Sequence, residues 1–263
     1  MQVNNSPLPY PSLYQRLFSV WFRHYRVYTK NLFSNGLPPF LEPVIFLAGI
    51  GLGLGHYVSE MDGISYLQFL GTGLPITAAM FTASFECTYG TFIRLEFDRV
   101  YDGMLAAPIT VPNLLVGEML WAGSKGVFFS LAVIVVIALF GIVSLPLGLL
   151  TGLVGLLTGV MFAALSLFIT SLVANINHFN FYFTGFLSPM FFFSGVIFPL
   201  QTLPPFIRPF AELFPLTHSV RLARSLSLGR FNAMLWLDVL YIVIFSLLFG
   251  FFAIRRLKKR LVG

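Results

Sequence analysis

Long apolar runs separated by short polar breaks dominate the chain. Six of them, about 38–58, 66–90, 114–143, 147–172, 181–200 and 231–254, reach the roughly 20 residues that a helix needs to cross a bilayer. The third and fourth are divided only by "SLPLG", where Pro146 suits a tight reversal. Ahead of the first run the periodicity changes. At about 100° per residue, Arg16, Arg23, Arg26 and Lys30 share an arc of roughly 80°. Leu17, Phe18, Trp21, Phe22, Tyr25 and Tyr28 occupy the opposite side. This predicts a helix lying in the membrane interface, aromatic face down and basic face toward anionic headgroups. An amphipathic helix packed on protein would carry the same pattern. Gly36, Pro38 and Pro39 are expected to break it and turn the chain into the first run. The reading is an all-α integral membrane protein with six transmembrane helices. Residues 1–37 form a cytoplasmic N-terminus with the amphipathic interfacial helix, 38–254 the membrane domain, and 255–263 a basic cytoplasmic tail.

Composition agrees. The chain is 57% hydrophobic and 10% charged, against roughly 25% charged in soluble domains, and its mean hydropathy is +0.85. The formal charge of +6 sits beside apolar segments, which fits orientation in a membrane and gives no nucleic-acid patch. With the N-terminus inside, eleven Lys and Arg fall on the inner side and four on the outer, so both termini are expected in the cytoplasm. The short outer loop "SEMDGIS" carries only acids. The lone Cys87 excludes an intramolecular disulfide and reads as a small buried hydrophobe. The start, "MQVNNSPLPYPSLYQR", lacks the basic, apolar and cleavage regions of a signal peptide. Glycines in "GIGLGLG" (Gly49 to Gly55), Gly148/Gly152 and Gly155/Gly159 have the small-xxx-small spacing that lets helices approach closely in lipid.

Catalytic chemistry finds no foothold. "GEMLWAGSK" has the wrong spacing for a phosphate loop, and His24, His56, His178 and His218 show no metal-ligand spacing. Ionisable groups near apolar runs are the informative ones. Glu118 and Lys125 lie seven residues apart, nearly on one helix face and about 10 Å apart along it. They could be bridged by long side chains or by partners on other helices, as a structural polar anchor or as part of a substrate path. Glu42, Glu86 and Asp238 fall near run ends, where a wetted terminus is expected. After the fifth run, Pro189, Pro199, Pro204, Pro205, Pro209 and Pro215 cut an apolar segment into pieces too short to span. Short outer-leaflet re-entrant helices over 200–230 are expected before the last span. A helix from about Thr217 to Leu228 would carry Arg221 and Arg224, either toward an outer anionic group or into pairing with Glu212 or water.

Three stretches, "YDGMLAAPITVPNLLVGEMLWAGSK", "SPMFFFSGVIFPLQTLP" and "LFPLTHSVRLARSLSLG", resemble the permease subunits of the ABC-2 family of ATP-binding-cassette exporters. The chain is most similar to the nodulation-type subfamily, whose named members export lipo-oligosaccharides, over essentially its whole length. The resemblance implies a bacterial cytoplasmic (inner) membrane location and a homodimer with two separate cytoplasmic ABC ATPase subunits. It also implies an amphipathic, lipid-linked or glycan-like cargo, or a drug. ATP and Mg would be bound by the partner ATPase, with no cofactor in this chain. It further implies a coupling helix within 94–108, "RLEFDRVYDGMLAAP", which places five charges in nine residues. The contacts expected to engage the ATPase are Arg94, Glu96, Asp98, Arg99, Tyr101, Asp102, Met104 and Leu105. The segment departs from the family at "EFDRVYDG", with Val100 and Tyr101 where Gly and Thr are common. The rival readings are an ATP-independent secondary transporter or channel, which would show repeats and midplane charges, and a lipid-modifying membrane enzyme.

Overall fold

A computed structural model of the chain describes residues 10–262 except His56 and Ser59. The N-terminal residues of the signal-peptide reading, His56, and Ser59 of the acidic loop therefore lie outside the described residues. Helix α1 (Leu13–Thr29) starts at a capping box, in which Ser12 Oγ accepts from the Gln15 amide and Gln15 Oε1 accepts from the Ser12 amide. The break falls earlier than expected, at Lys30–Asn31, where Asn31 leaves helical geometry (φ −120°, ψ 48°). Helix α2 (Leu32–Gly36) then leads almost directly into α3 (Pro38–Phe46), because Leu37 keeps helical angles and donates to the Phe33 carbonyl. Proline at the start of a helix loses an amide that has no partner there, so Pro38 and Pro39 initiate α3.

Helix α3 runs on through a π-helical stretch (Leu47–Leu52) to α4 (Gly53–Gly55). A tight hairpin follows, β1 (Glu60–Met61) pairing antiparallel with β2 (Ile64–Ser65). Its Asp62–Gly63 turn has positive φ at both positions, as a two-residue turn of this twist requires. Helix α5 (Tyr66–Phe85) continues into π-helical turns at Glu86–Gly90 and Ile93–Phe97. The short α6 (Val100–Leu105) precedes α7 (Val111–Leu139). At the end of α7, Gly141 (φ +69°) and Ile142 donate back to Ala138 and Ile137, a glycine-dependent cap that reverses the chain. Helix α8 (Leu145–Gly148) begins with Pro146 and merges into α9 (Thr151–Leu172).

Among the described residues three segments, Val111–Leu139, Leu145–Leu172 and Leu235–Leu261, are helices long and apolar enough to cross a membrane. Of the other three runs, 66–90 holds α5 as an unbroken helix of 20 residues, while the first and fifth are divided into shorter α and π-helical pieces. The fifth comprises α10 (Phe179–Tyr182), a π turn (Phe183–Leu187) and α11 (Ser188–Phe193), and ends there, before the turn at Gly195 (φ +77°). Its fifteen residues from 179 to 193 rise about 22 Å, short of the roughly 30 Å hydrocarbon core. The proline-rich segment beyond it holds a 3-10 turn (Leu200–Thr202), α12 (Arg208–Leu213) and α13 (Pro215–Ser227), which is close to the helix expected from Thr217. Phe206, Phe210 and Leu213 in this segment are exposed. The last helix is α14 (Leu235–Val262).

The core is a three-helix centre of α5, α7 and α9, with α14 against α9 and α13 bridging α5 and α14. Phe69, Ile76, Met80, Leu114, Leu115, Met161 and Phe162 are fully enclosed there. The closest approach of α7 to α9 requires glycine: a Cβ on Gly155 would lie 2.8 Å from the Gly126 carbonyl oxygen, and one on Gly159 would lie 2.9 Å from Gly123 Cα. Gly123 and Gly126 are thus the partners of the expected Gly155/Gly159 pair. At Gly49 and Gly53, expected to pack helices, an added Cβ would meet no neighbouring group within 4 Å among the described residues. Cys87 is fully buried, as read from the sequence.

Candidate functional site: a buried charge hub under an exposed helix

Helix α1, expected from its sequence to lie at the membrane interface, uses its faces differently from the two-sided pattern. Val20 and His24, between the basic and aromatic arcs, are the residues it buries, and it packs on α7. Trp21 Nε1 donates to Ser124 Oγ (2.9 Å), while Trp121 meets Trp21 and Tyr28 edge-on and stacks on His24. Phe18, Phe22 and Tyr25 stay exposed. Part of the aromatic arc therefore docks on protein, because Trp121 and Ser124 present a ring and a hydroxyl to it, and only the remainder is free to face lipid. Arg16 and Arg23 are half-buried, and Arg26 and Lys30 exposed. Burial, then the like charge of Arg94, lowers the Arg23 pKa, with Glu118 acting the other way.

Beneath this helix lies the densest set of charges in the chain. Glu118, on α7 and 1% exposed, is the centre. Its Oε1 is 3.1 Å from Arg94 Nε and 3.4 Å from His24 Nε2, and it also accepts from the Tyr101 hydroxyl. Its Oε2 accepts from Thr91 Oγ1 at 2.9 Å. Arg94 reaches Glu86 Oε1 with Nη1 (2.8 Å) and the Glu86 carbonyl with Nη2 (3.2 Å). The second Glu86 oxygen takes Lys125 Nζ at 2.9 Å, and the ammonium also sits 5.3 Å from the Tyr28 ring centre. Two carboxylates thus face Arg94, Lys125 and the His24 ring, so no carboxylate is buried alone. The π-helical turns after α5 set this geometry by bringing Glu86 and Arg94 together. Glycine at position 90 leaves the space, since a Cβ there would stand 3.2 Å from Arg94 Nη1.

Glu118 and Lys125 follow the second of the two expected arrangements, each held by partners from other segments, with Arg94 and Glu86 joining the two. Several expectations change. Glu86 is no wetted terminus but the link between Arg94 and Lys125. Of the residues assigned to the ATPase contact, Arg94 and Tyr101 point inward, Tyr101 being 1% exposed. Asp98, Arg99 and Asp102 are exposed, and Met104 and Leu105 pack half-buried against the core. Glu96 is exposed and pairs with Arg260 at 2.8 Å, whose other guanidinium nitrogen bonds the carbonyls of Thr170 and Val173. Helix α6 is therefore pinned from inside by Tyr101, while the segment just before it is tied to α9 and α14. Sequence reasoning missed His24 and Tyr101 as hub members. The one signal for the hub was an acid in an apolar run, which requires a cation near it.

At the opposite end of the bundle, Arg221 pairs with Glu212 and lies 3.5 Å from Asp238, the pairing alternative of the sequence reading. Asp238, expected to be wetted, is 2% exposed and 2.7 Å from His218 Nδ1. Glu42 is exposed, as expected near a run end. Arg224 turns away from Arg221, with Nε donating to Thr72 Oγ1, Nη2 to the Phe69 carbonyl and the guanidinium 3.7 Å over the Phe69 ring. Among the described residues no group of three or more His, Cys, Asp or Glu is placed to hold a metal.

Comparison with known proteins agrees with this architecture. The chain is 36% identical over 245 residues to "Nodulation protein J" of Sinorhizobium fredii, covering 93% of this chain and 94% of that protein. It is 38% identical over 229 residues to "Nodulation protein J" of Rhizobium leguminosarum bv. viciae, covering 86% and 88%. A more distant relative, "Inner membrane transport permease YadH" of Escherichia coli, is 23% identical over 204 residues, 78% of this chain and 79% of that one. The ABC-2 type transporter family matches residues 15–228, and with these relatives it shows that the chain belongs to that family of membrane permeases.

Proposed function

We propose that the chain is the membrane subunit of an ATP-driven exporter, working as a homodimer with two separate ATPase subunits that bind ATP and Mg. Its cargo is an amphipathic, lipid-linked or glycan-like molecule, moved outward across the bacterial cytoplasmic membrane, with both termini in the cytoplasm. The observation that carries this reading is the connection of α6 to the hub. An exposed short helix bearing Asp102, with Arg99 at its start, is bonded through Tyr101 to Glu118, a buried acid of a long apolar helix. The same acid faces His24 of α1. A displacement of α6 by a bound ATPase would act on α7 and the turns after α5 through their shared charged hydrogen bonds, and on α1 through the 3.4 Å approach of His24 Nε2 to Glu118. Packed elements of this kind move between discrete arrangements.

The test replaces Arg99 and Asp102 together by alanine. Both side chains are exposed, so the fold should persist while ATPase binding weakens or hydrolysis continues without transport. Unchanged assembly and unchanged transport in that variant would refute this placement of the joint.

A further inference from the structure

At the end of the bundle opposite the hub, the hairpin, α5, the Ser194–Gln201 turn and α13 enclose a cavity of about 180 Å³. Arg221, Arg224, Arg230 and Ser194 line it, with Asp62 and Glu212 as its acids. The three arginines are not equivalent. Arg221 is neutralised by Glu212 and Asp238. Arg224 is held only by neutral groups, the Thr72 hydroxyl, the Phe69 carbonyl and the Phe69 ring, and no carboxylate among the described residues lies within ion-pair distance of it. Those bonds use Nε and Nη2, which leaves Nη1 for the cavity. Arg230 is exposed at the rim. Ser194 supplies an independent sign: it is 1% exposed, and its hydroxyl has no hydrogen-bond partner among the described residues. A buried hydroxyl and a guanidinium with no carboxylate at ion-pair distance, facing one small polar space, both ask for an acceptor that carries negative charge. The volume is below the 300 Å³ or so at which pockets hold whole drug-sized ligands, so it suits a single anionic group.

We propose that this cavity binds one phosphate-like oxyanion, held by Arg224 and Arg230 with the Ser194 hydroxyl donating to it, and with Asp62 limiting the affinity by repulsion. The anion could belong to a lipid headgroup or to a free or cargo-borne phosphate. The site does not depend on the ATP-driven reading and is tested without any ATPase.

The experiment uses the full chain in nanodiscs, titrated with inorganic phosphate at constant ionic strength and followed by calorimetry. Discs of phosphatidylcholine alone are compared with discs that also contain phosphatidylglycerol. Saturable phosphate binding in phosphatidylcholine that is lost when phosphatidylglycerol is present assigns the site to the headgroup. Binding of equal strength in both assigns it to a free or cargo-borne group. In either case Arg224→Gln should weaken phosphate by about tenfold or more, the loss expected for a charge-assisted hydrogen bond. Asp62→Asn should tighten it, an effect that a merely structural arginine would not produce, and asparagine tolerates the positive φ of that position. Should Arg224→Gln fail to fold, Ser194→Ala and Asp62→Asn decide the matter in opposite directions. Absence of phosphate binding in phosphatidylcholine discs, or affinities unmoved by Ser194→Ala and Asp62→Asn, would overturn the proposal.

Discussion

Replacing Glu118 is the sharpest perturbation of the hub, because four groups from three other segments converge on it. Glu118→Ala would leave the Tyr101 hydroxyl without its acceptor, the Thr91 hydroxyl with only the longer bond to the Glu86 carbonyl, and Arg94 with Glu86 as its only carboxylate. Breaking a buried ion pair costs about 3–5 kcal/mol, and the lower end applies here because Arg94 keeps Glu86. At roughly 2–4 °C per kcal/mol for a chain of this size, the midpoint of thermal unfolding in detergent should fall by about 6–12 °C. Glu118→Gln keeps the volume and one acceptor oxygen, so its loss should be roughly half as large. A double-mutant cycle with Arg94→Gln isolates the pair and should give a coupling of about 1–3 kcal/mol. With the ATPase present, Glu118→Gln should lower transport more than hydrolysis. An additive cycle, or Glu118→Ala melting with the wild type, would refute the claim that this carboxylate ties α6 and α1 to α7.

The helix packing makes a contrasting pair of predictions. Gly155→Ala puts a methyl against the Gly126 carbonyl and Ser130 where α7 meets α9, and should destabilise by about 1–3 kcal/mol; Gly49→Ala meets open space and should leave the melting point unchanged. Trp21→Phe removes the hydrogen bond to Ser124 while keeping a ring against Trp121. It should cost about 1 kcal/mol and give no further loss in a Ser124→Ala background, read by thermal unfolding.

Much of the fold was legible because lipid-facing helices announce themselves by length and apolarity. The runs over 114–143 and 147–172 became α7 and α8–α9, and the turn between them follows from Gly141 and Pro146. The interruptions were not legible: the π turns after α3 and α10, Leu47–Leu52 and Phe183–Leu187, hold no charged residue and continue their apolar runs without a break in composition. The amphipathic wheel of α1 found the helix but not its docking face, since Val20 and His24 lie between the two arcs and only Trp121 of α7 selects them. Arg94 illustrates the limit for the site. As one of five clustered charges it read as exposed, yet Glu118, 24 residues away, offers it a buried carboxylate that a solvent contact could not replace. Asp238 and Glu86 were misread for a related reason. A run end is wet only if no helix from elsewhere covers it, and α13 covers the first while Arg94 and Lys125 cap the second.

The central claim is that an exposed peg on the cytoplasmic side, α6, is where this chain meets its ATPase. Its most direct test is a cysteine at Asp102, made informative because the native Cys87 is fully buried. Asp102→Cys, in membranes with the ATPase, should be labelled only by reagents admitted to the cytoplasmic face and should cross-link to the ATPase in a nucleotide-sensitive yield. Labelling from the outer face, or cross-linking to no ATPase while transport remains intact, would contradict the account.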